Sequence, residues 1–116
     1  MTLSATDTTL QVGDTLTVTV SLLNKGCAKL GLPQYRLYAE SHEAHSVLSP
    51  DQPEPVVHSL AVAPGESDAS EFELHAVGPG QATIGATASF EVHLGYPGPA
   101  YWTGASASPL VITVEE

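Results

Sequence analysis

The sequence predicts an all-β protein made of antiparallel sheets, and the main observation is a strict alternation of polar and apolar residues. Residues 15–22 alternate Thr or Ser with Leu or Val without a break. One face of this segment is therefore apolar and the other carries hydroxyl groups, which fits the two-residue period of a strand and not the period of a helix. The same alternation returns at 70–76, 82–94 and 110–114. Antiparallel sheets with one face in water carry this pattern.

The first half of the chain is predicted to hold three strands. They are 2–12 (broken at 7–9), 15–23 and 34–40, separated by turns at 13–14 and 24–26 and by a loop at 27–32. Glycine, asparagine and aspartate mark these turns because they tolerate the backbone angles that turns need. The side chains expected to face the core are Leu16, Val18, Val20 and Leu22 in the second strand and Tyr35, Leu37 and Ala39 in the third.

The second half begins with an irregular crossing at 41–55 that contains three prolines. Proline cannot donate to a strand ladder, so we expect at most a brief edge strand at 46–48. The strands predicted after it are 56–62, 70–77, 82–94 and 107–115, with turns at 63–66 and 77–80. Their core-facing residues are Phe72, Leu74 and Ala76, then Ala82, Ile84, Ala86, Ala88, Phe90, Val92 and Leu94, then Leu110, Ile112 and Val114.

The segment 82–94 keeps one parity for longer than the five or six residues that are usual for a strand. Small alanines occupy one end of its apolar face, and Phe90, Val92 and Leu94 occupy the other. We expect this strand to extend beyond the sandwich. Its far end is predicted to form a ribbon with the stretch that precedes the last strand.

Length and charge limit the classes of protein to which the chain can belong. The 116 residues fit one domain with one core, so we expect a single domain over 1–116. Three basic against thirteen acidic residues give a net charge of −10. Nucleic acid and anionic membrane surfaces repel such a chain. We expect the charge to reflect a solvated acidic surface, and the alternative is a basic partner or a cation. No stretch reaches the roughly 20 apolar residues of a membrane span.

Cys27 is the only cysteine, so an internal disulfide and a cysteine-based zinc site are both excluded. We expect it to be a small buried apolar residue. The alternative is a reactive thiol, because Lys25 and Lys29 lie close to it in the sequence. Met1 is followed by neither a basic nor an apolar leader segment. We favour a module excised from an exported chain, extracellular or at the cell surface, over a cytoplasmic protein.

Three motifs in order resemble the immunoglobulin-like modules of bacterial surface and secreted proteins, of the cell-adhesion-related kind. They are VGDTLTVTV at 12–20 followed by LNKG at 23–26, LAVAPGE at 60–66, and GPGQATI at 78–84. The resemblance covers most of the chain except 27–55 and 95–106. It implies an immunoglobulin-like antiparallel β-sandwich of about seven strands in a Greek-key arrangement, with sheets A-B-E(-D) and C-F-G. Such modules serve as spacers, stalks and binding domains.

The best candidate for a binding site is the loop predicted at 95–104, which holds three of the seven aromatic residues. They are Tyr96, Tyr101 and Trp102. Loops on a rigid sandwich carry binding functions, and Tyr and Trp rings offer apolar faces with a polar handle. A sugar ring could stack on Trp102, or a protein partner could bury it. The alternative is that these rings fold back and cap the open end of the sandwich.

His42 and His45 form a second, weaker candidate, with Asp51 and Glu54 downstream. Two imidazoles beside carboxylates can bind Zn²⁺ or Ni²⁺. The spacing is one residue short of the helical His-Glu-x-x-His motif, and nothing predicts a helix here, so a solvated loop is favoured.

The other polar residues predict no chemistry. His75 and His93 lie beside Glu73 and Glu91, but the topology puts their strands in different sheets, and the parity of His58 is undetermined. Asp7, Asp14, Asp51 and Asp68 are too scattered for a calcium loop. No strained serine elbow and no glycine-rich loop before a helix is present.

We therefore expect a non-catalytic structural or interaction module without a cofactor. Its partner is predicted to be a protein or a neighbouring domain. The outward hydroxyl faces of strands 15–23 and 82–94 also allow a homodimer. The alternative is a carbohydrate-binding module that uses Tyr96, Tyr101 and Trp102 as a stacking platform. A metal-dependent enzyme built around His42 and His45 is the third hypothesis.

Overall fold

Two β-sheets face each other across a shared apolar core, as the alternation predicts. The computed structural model describes residues 1–40, 44–50, 53–58, 61–93 and 100–116, and only the backbone of 44, 45, 93, 100 and 101. The strands in these residues are β1 Thr2–Ala5, β2 Thr9–Gln11, β3 Thr15–Leu23, β4 Lys29–Ala39, β5 Leu48–Ser49, β6 Val56–Val57, β7 Ser67–Ala76, β8 Gly80–His93, β9 Ala100–Ser106 and β10 Leu110–Glu115. The described residues contain one helical turn, α1 Ala44–Val47.

The strands are divided between a four-stranded and a six-stranded sheet. The smaller sheet has the order β1-β3-β7-β5, and the larger has the order β2-β10-β8-β4-β6, with β9 also paired to β8. Neighbouring strands are antiparallel except β2 and β10, which run parallel. Within the described residues no helix is long and apolar enough to cross a membrane.

The core contains side chains from the inner faces of both sheets. The four-stranded sheet contributes Leu16, Val18, Val20 and Leu74, and the six-stranded sheet contributes Tyr35, Ile84 and Ile112, all of them fully buried. These are residues that the alternation predicted to face inward. Ala39 and Leu110, also predicted to face inward, are only half-buried because they lie near the ends of their strands. The all-β, sandwich-like prediction is confirmed.

Three of the strand boundaries predicted from the sequence are wrong. The predicted loop at 27–32 is partly strand, because Lys29–Gly31 pair with Glu91–His93 and extend β4 towards its start. The edge strand predicted at 46–48 is displaced by α1, and only Leu48–Ser49 pair with β7. The strand predicted at 56–62 is reduced to Val56–Val57 and an isolated bridge from Val62 to Leu30.

The strands that pair with β8 explain its unusual length. One side pairs with β4, and the other side pairs with β10 and then, beyond residues 107–109, with β9. Thr87–His93 and Ala100–Ser106 form the ribbon that the length of 82–94 predicted. Leu94, the last residue predicted to face the core, lies outside the described residues. β9 lies at one edge of the sheet, and Ala88, Phe90 and Val92 of the ribbon belong to the core.

Asn24, predicted only as a turn residue, is buried and joins three loops. Its side-chain amide donates to the carbonyls of Ala28 and Val62 at 2.8 and 2.9 Å, and its side-chain oxygen accepts from the Gly26 amide at 3.0 Å. Its backbone carbonyl accepts from Gly65, whose φ of 84° suits glycine at the predicted 63–66 turn. All polar atoms of this buried side chain therefore have partners.

A β-bulge interrupts β4 between Gly31 and Gln34 and forces Leu32 into the left-handed region. The register with β8 shifts between these two residues, and Leu32 has a φ of 48°. An L-residue with a Cβ pays a steric penalty in this region. The Leu32 side chain is about half exposed, so the burial of its apolar surface offsets little of this steric cost.

Leu32→Gly is expected to raise the free energy of unfolding by about 0.5–1 kcal/mol, because glycine adopts a positive φ without the Cβ clash. Urea denaturation measures the change. The matched control is Leu32→Ala, which removes the same apolar carbons but keeps the Cβ and should bring no gain. Equal losses of stability in both variants would contradict the strain argument.

Candidate interaction site on the six-stranded sheet

Trp102 lies on the outer face of the six-stranded sheet and is open to solvent. It belongs to β9 and is paired with Glu91 of β8, which is paired in turn with Gly31 of β4. Its side chain is 59% exposed, so it does not cap the open end of the sandwich as the packing alternative requires. The indole is held on a strand whose backbone is fixed by the ladder.

The other two aromatic residues predicted for this site remain predictions. Tyr96 lies in 94–99, outside the described residues. The backbone of Tyr101 is opposite Val92 in the ladder, and its side chain is not among those described. The predicted loop 95–104 is corrected in part, because 100–104 belong to β9. Its sequence lacks apolar alternation, and pairing with β8 makes it a strand.

The outer face next to Trp102 is covered by small polar residues. Ser89 is paired with Gly104 and with Gln34, and Thr87 is paired with Ser106. A Cβ on Gly104 would lie 2.9 Å from the Ala88 carbonyl oxygen, so β8 and β9 approach each other closely here. Glu91, which is paired with Trp102, together with these hydroxyl and amide side chains forms the surface beside the indole.

A second aromatic ring lies at the other end of this face. Tyr38 is paired with Gly85, and a Cβ on Gly85 would lie 2.8 Å from the phenol oxygen of Tyr38. The absence of a side chain at Gly85 thus leaves the space that the Tyr38 ring occupies. Glu91 and Gly85 are six positions apart along β8, so their two rows are about 20 Å apart at the usual rise of a strand.

A groove of about 460 Å³ adjoins Tyr38 at the edge of β4. Its lining is formed by Arg36, Leu37 and Tyr38 on one side and by Pro53, Glu54 and Pro55 on the other. Within the described residues no carboxylate forms an ion pair with Arg36. The groove therefore offers a cation, an aromatic ring and two proline rings at one end of the outer face.

A polar cluster that the sequence did not predict joins the two sheets beside this face. Asp68 of β7 accepts a hydrogen bond from the Tyr35 hydroxyl of β4 at 2.6 Å through Oδ2. The same oxygen lies 2.6 Å from Nδ1 of His58, just after β6. The Tyr35 and His58 rings meet edge to face with centroids 5.2 Å apart.

Burial of Tyr35 is the main reason why the pKa of its hydroxyl is raised well above its usual value, and the bond to Asp68 and the Asp68 charge raise it further. The hydroxyl therefore stays protonated and donates to Asp68. The cluster ties the two sheets together, because Tyr35 belongs to the six-stranded sheet and Asp68 to the four-stranded sheet. The only hint in the sequence was that Tyr35 faces inward, which requires a partner for its hydroxyl.

The histidine and cysteine candidates have different outcomes. His42 lies outside the described residues, and only the backbone of His45 is described. The strands of His75 and His93 lie in different sheets, as predicted. His75 lies 3.6 Å from Glu73 at the surface, and the described residues hold no group of three side chains able to bind a metal. Cys27 is exposed, not buried as predicted, because it lies between β3 and β4, outside both ladders.

No protein-family model matches the sequence, and no curated protein matches it. Among solved structures, the chain is similar to the alkylpurine DNA glycosylase AlkC of Pseudomonas fluorescens bound to DNA containing an abasic site analog, with 12% identity and a TM-score of 0.49. It is also similar to the sporulation control protein Spo0M of Bacillus subtilis, with 13% identity and a TM-score of 0.45. Each match covers 99% of this chain, but only 30% and 49% of those two chains. Similarity at this level indicates no function for this chain.

Proposed function

We propose that this chain is an immunoglobulin-like, non-catalytic interaction module whose contact surface is anchored by Trp102. The observation that carries this proposal is the exposed indole on an ordered strand. A large apolar ring in water contributes nothing to the core, whereas tryptophan is enriched among the residues that dominate binding energy at interfaces. The neighbouring small polar residues leave the ring accessible from the side of Gly104.

The strand order supports the immunoglobulin-like part of the proposal. The parallel pair of β2 and β10 beside the antiparallel β10-β8-β4 order is what a first strand split between two sheets produces. Taking β1 with β2 and β9 with β10 as interrupted single strands reduces the ten segments to eight, close to the predicted seven. The segment after β4 departs from the usual order, because β5 joins the four-stranded sheet before β6 returns to β4.

The proposed setting is the surface of a bacterial cell or a secreted protein, with a protein or a neighbouring domain as partner. The motifs at 12–26, 60–66 and 78–84 support this setting through their resemblance to such modules. The net charge of −10 argues against nucleic acid and anionic membranes as partners.

Trp102→Ala tests the role of the indole. We expect the free energy of unfolding to stay within about 0.5 kcal/mol of the wild type, as is usual for surface substitutions. A tryptophan packed into the core would cost about 3–5 kcal/mol instead. The control is Val111→Ala, which removes another exposed apolar side chain from the same sheet. Acrylamide quenching of Trp102, the only tryptophan, should be efficient in dilute protein, and a protected indole would contradict the proposal.

Carbohydrate binding is the second candidate, favoured by the placement of Trp102 and Tyr38 on one face with hydroxyl and amide side chains and Arg36 between them. Aromatic rings supply apolar stacking faces, and the intervening side chains supply hydrogen bonds. The groove at Arg36 would then hold the end of the chain of sugars that lies nearest Tyr38.

Affinity electrophoresis in gels containing soluble β-glucan, xylan or glycol chitin tests this candidate. Retardation of the wild type that is lost in both Trp102→Ala and Tyr38→Ala, and kept in Val111→Ala, would support it. Equal mobility of all four proteins in every polysaccharide would leave the protein-contact module as the proposal.

A further inference from the structure

Among the described residues, the edge of β9 that faces away from β8 is open. β9 pairs with β8 along seven residues, and no other strand in the described part of the chain pairs with it. β2 covers the same side of the sheet only at Thr113–Glu115 of β10. A sheet edge of this length is a template for one more strand.

The backbone pattern identifies which residues of β9 face the open edge. The Ala107 amide donates to the Ala86 carbonyl at 3.0 Å, so this pair is hydrogen-bonded in the antiparallel ladder. Hydrogen-bonded and non-hydrogen-bonded pairs alternate along such a ladder. The backbone groups of Thr103 therefore point to β8, and those of Trp102, Gly104 and Ser106 point to the open edge.

The sequence of β9 lacks the features that usually protect an edge. It contains no lysine, no other charged residue and no proline, and the nearest prolines, Pro99 and Pro109, lie outside it. Lysine, proline and inward charges are the usual means of preventing edge-to-edge pairing. The chain has a net charge of −10, but β9 itself carries no charge. Two copies can therefore meet along β9 without repulsion between like charges in the paired strands.

We infer that two copies of this chain associate by antiparallel pairing of β9 with β9, which forms a sheet continuous across both molecules. This inference rests on the proposed function and identifies the partner of its Trp102 surface as a second copy. Thr103 is the central residue of Ala100–Ser106, so full overlap places the two-fold axis at Thr103. Trp102 of each copy then lies opposite Gly104 of the other, in a hydrogen-bonded pair.

The Trp102–Gly104 pairing gives the exposed indole a place to pack. Aromatic residues across from glycine in a ladder cover the gap that the missing side chain leaves. Two short strands and two indoles bury less than the roughly 1,200 Å² of a standard stable interface. The dimer is therefore expected to be weak and to form as the concentration rises.

Sedimentation equilibrium over a range of concentrations is the first test. The weight-average mass of the wild type should rise from that of the monomer towards that of the dimer, and the Trp102 emission should shift to the blue over the same range. Thr103→Lys places two like charges on the axis and Ser106→Pro removes an outward amide, so both should remain monomeric. Val111→Lys adds the same charge at an exposed position of β10, away from β9, and should dimerise like the wild type.

A cysteine cross-link tests the register. Cα atoms in a non-hydrogen-bonded pair are about 4.5 Å apart, within the range of a disulfide. In a Cys27→Ser background, Thr103→Cys should form a disulfide-linked dimer on mild oxidation, and Ser89→Cys should not. A dimer that forms without this cross-link would overturn the inference.

A wild type that is monomeric at every concentration would also overturn the inference. The proposed function would survive that result if Trp102 is freely quenched and Trp102→Ala is as stable as the wild type. It would fail together with the inference only if the indole were protected in the monomer. Circular dichroism of Thr103→Lys and Ser106→Pro establishes that loss of the dimer is not loss of the fold.

Discussion

Asp68→Ala is expected to lower the free energy of unfolding by about 2–3 kcal/mol, the cost of leaving a buried donor without its charged acceptor. The Tyr35 hydroxyl is fully buried and donates to Asp68 Oδ2, and His58 Nδ1 lies against the same oxygen. The substitution removes the charged acceptor of this hydroxyl. Urea denaturation at pH 7 measures the loss.

A double-mutant cycle separates the Tyr35 bond from the other effects of losing the carboxylate. In a Tyr35→Phe background the hydroxyl is absent, so Asp68→Ala should cost at least about 1 kcal/mol less than it does in the wild type. Asp68→Asn keeps an acceptor oxygen and serves as the matched control, with a smaller loss than alanine. Equal costs of Asp68→Ala in both backgrounds would show that the hydroxyl bond contributes nothing measurable.

The Tyr35–Asp68 bond also bears on the proposed contact surface. Tyr35 lies on β4, the strand that carries Arg36 and Tyr38 on its outer side. Asp68 belongs to the opposite sheet, so the bond fixes β4 against β7 near an edge where β6 supplies only two residues. A fixed β4 keeps the outer face of the sheet in one arrangement, which lowers the entropic cost of binding a partner there.

Much of the fold could be predicted because the pattern is local. Residues 15–22 and 70–76 alternate strictly, and burying one face of each accounts for β3 and β7. β9 could not be recognised in the same way, because AYWTGAS has neither alternation nor a run of β-branched residues. Its strand conformation comes from pairing with β8, and in the sequence only the unusual length of 82–94 indicated that a partner strand follows.

One residue of the candidate site could be predicted from the sequence, but its surroundings could not. Trp102 could be selected from the sequence because aromatic residues are rare in this chain and three lie close together. Its exposure depends on which face of the ribbon the indole occupies, which only the register of β9 on β8 decides. The Tyr35, His58 and Asp68 cluster joins three separate segments, so no spacing in the sequence could predict it.

Above pH 10, Tyr35 is expected to lower the free energy of unfolding by about 1.4 kcal/mol for each pH unit. Burial and Asp68 raise the pKa of this hydroxyl above the value of about 10 that it has in the unfolded chain. Above pH 10 the unfolded chain releases this proton while the folded chain keeps it, and the release favours unfolding. The contribution is therefore complete below pH 10 and is lost as the pH rises towards the folded pKa.

Tyr35→Phe removes this titration, so the difference in unfolding free energy between the wild type and the variant should narrow as the pH rises from 9 to 11. Urea denaturation at fixed ionic strength across this range measures the difference, and it cancels the groups that titrate alike in both proteins. Tyr38→Phe removes a phenol from the same strand while Tyr35 stays intact, and it serves as the matched control. A constant difference between the wild type and Tyr35→Phe would mean that the hydroxyl loses its proton equally easily in both states. The bond to Asp68 would then not hold the proton, and the tie between the two sheets would rest on His58 and apolar packing alone.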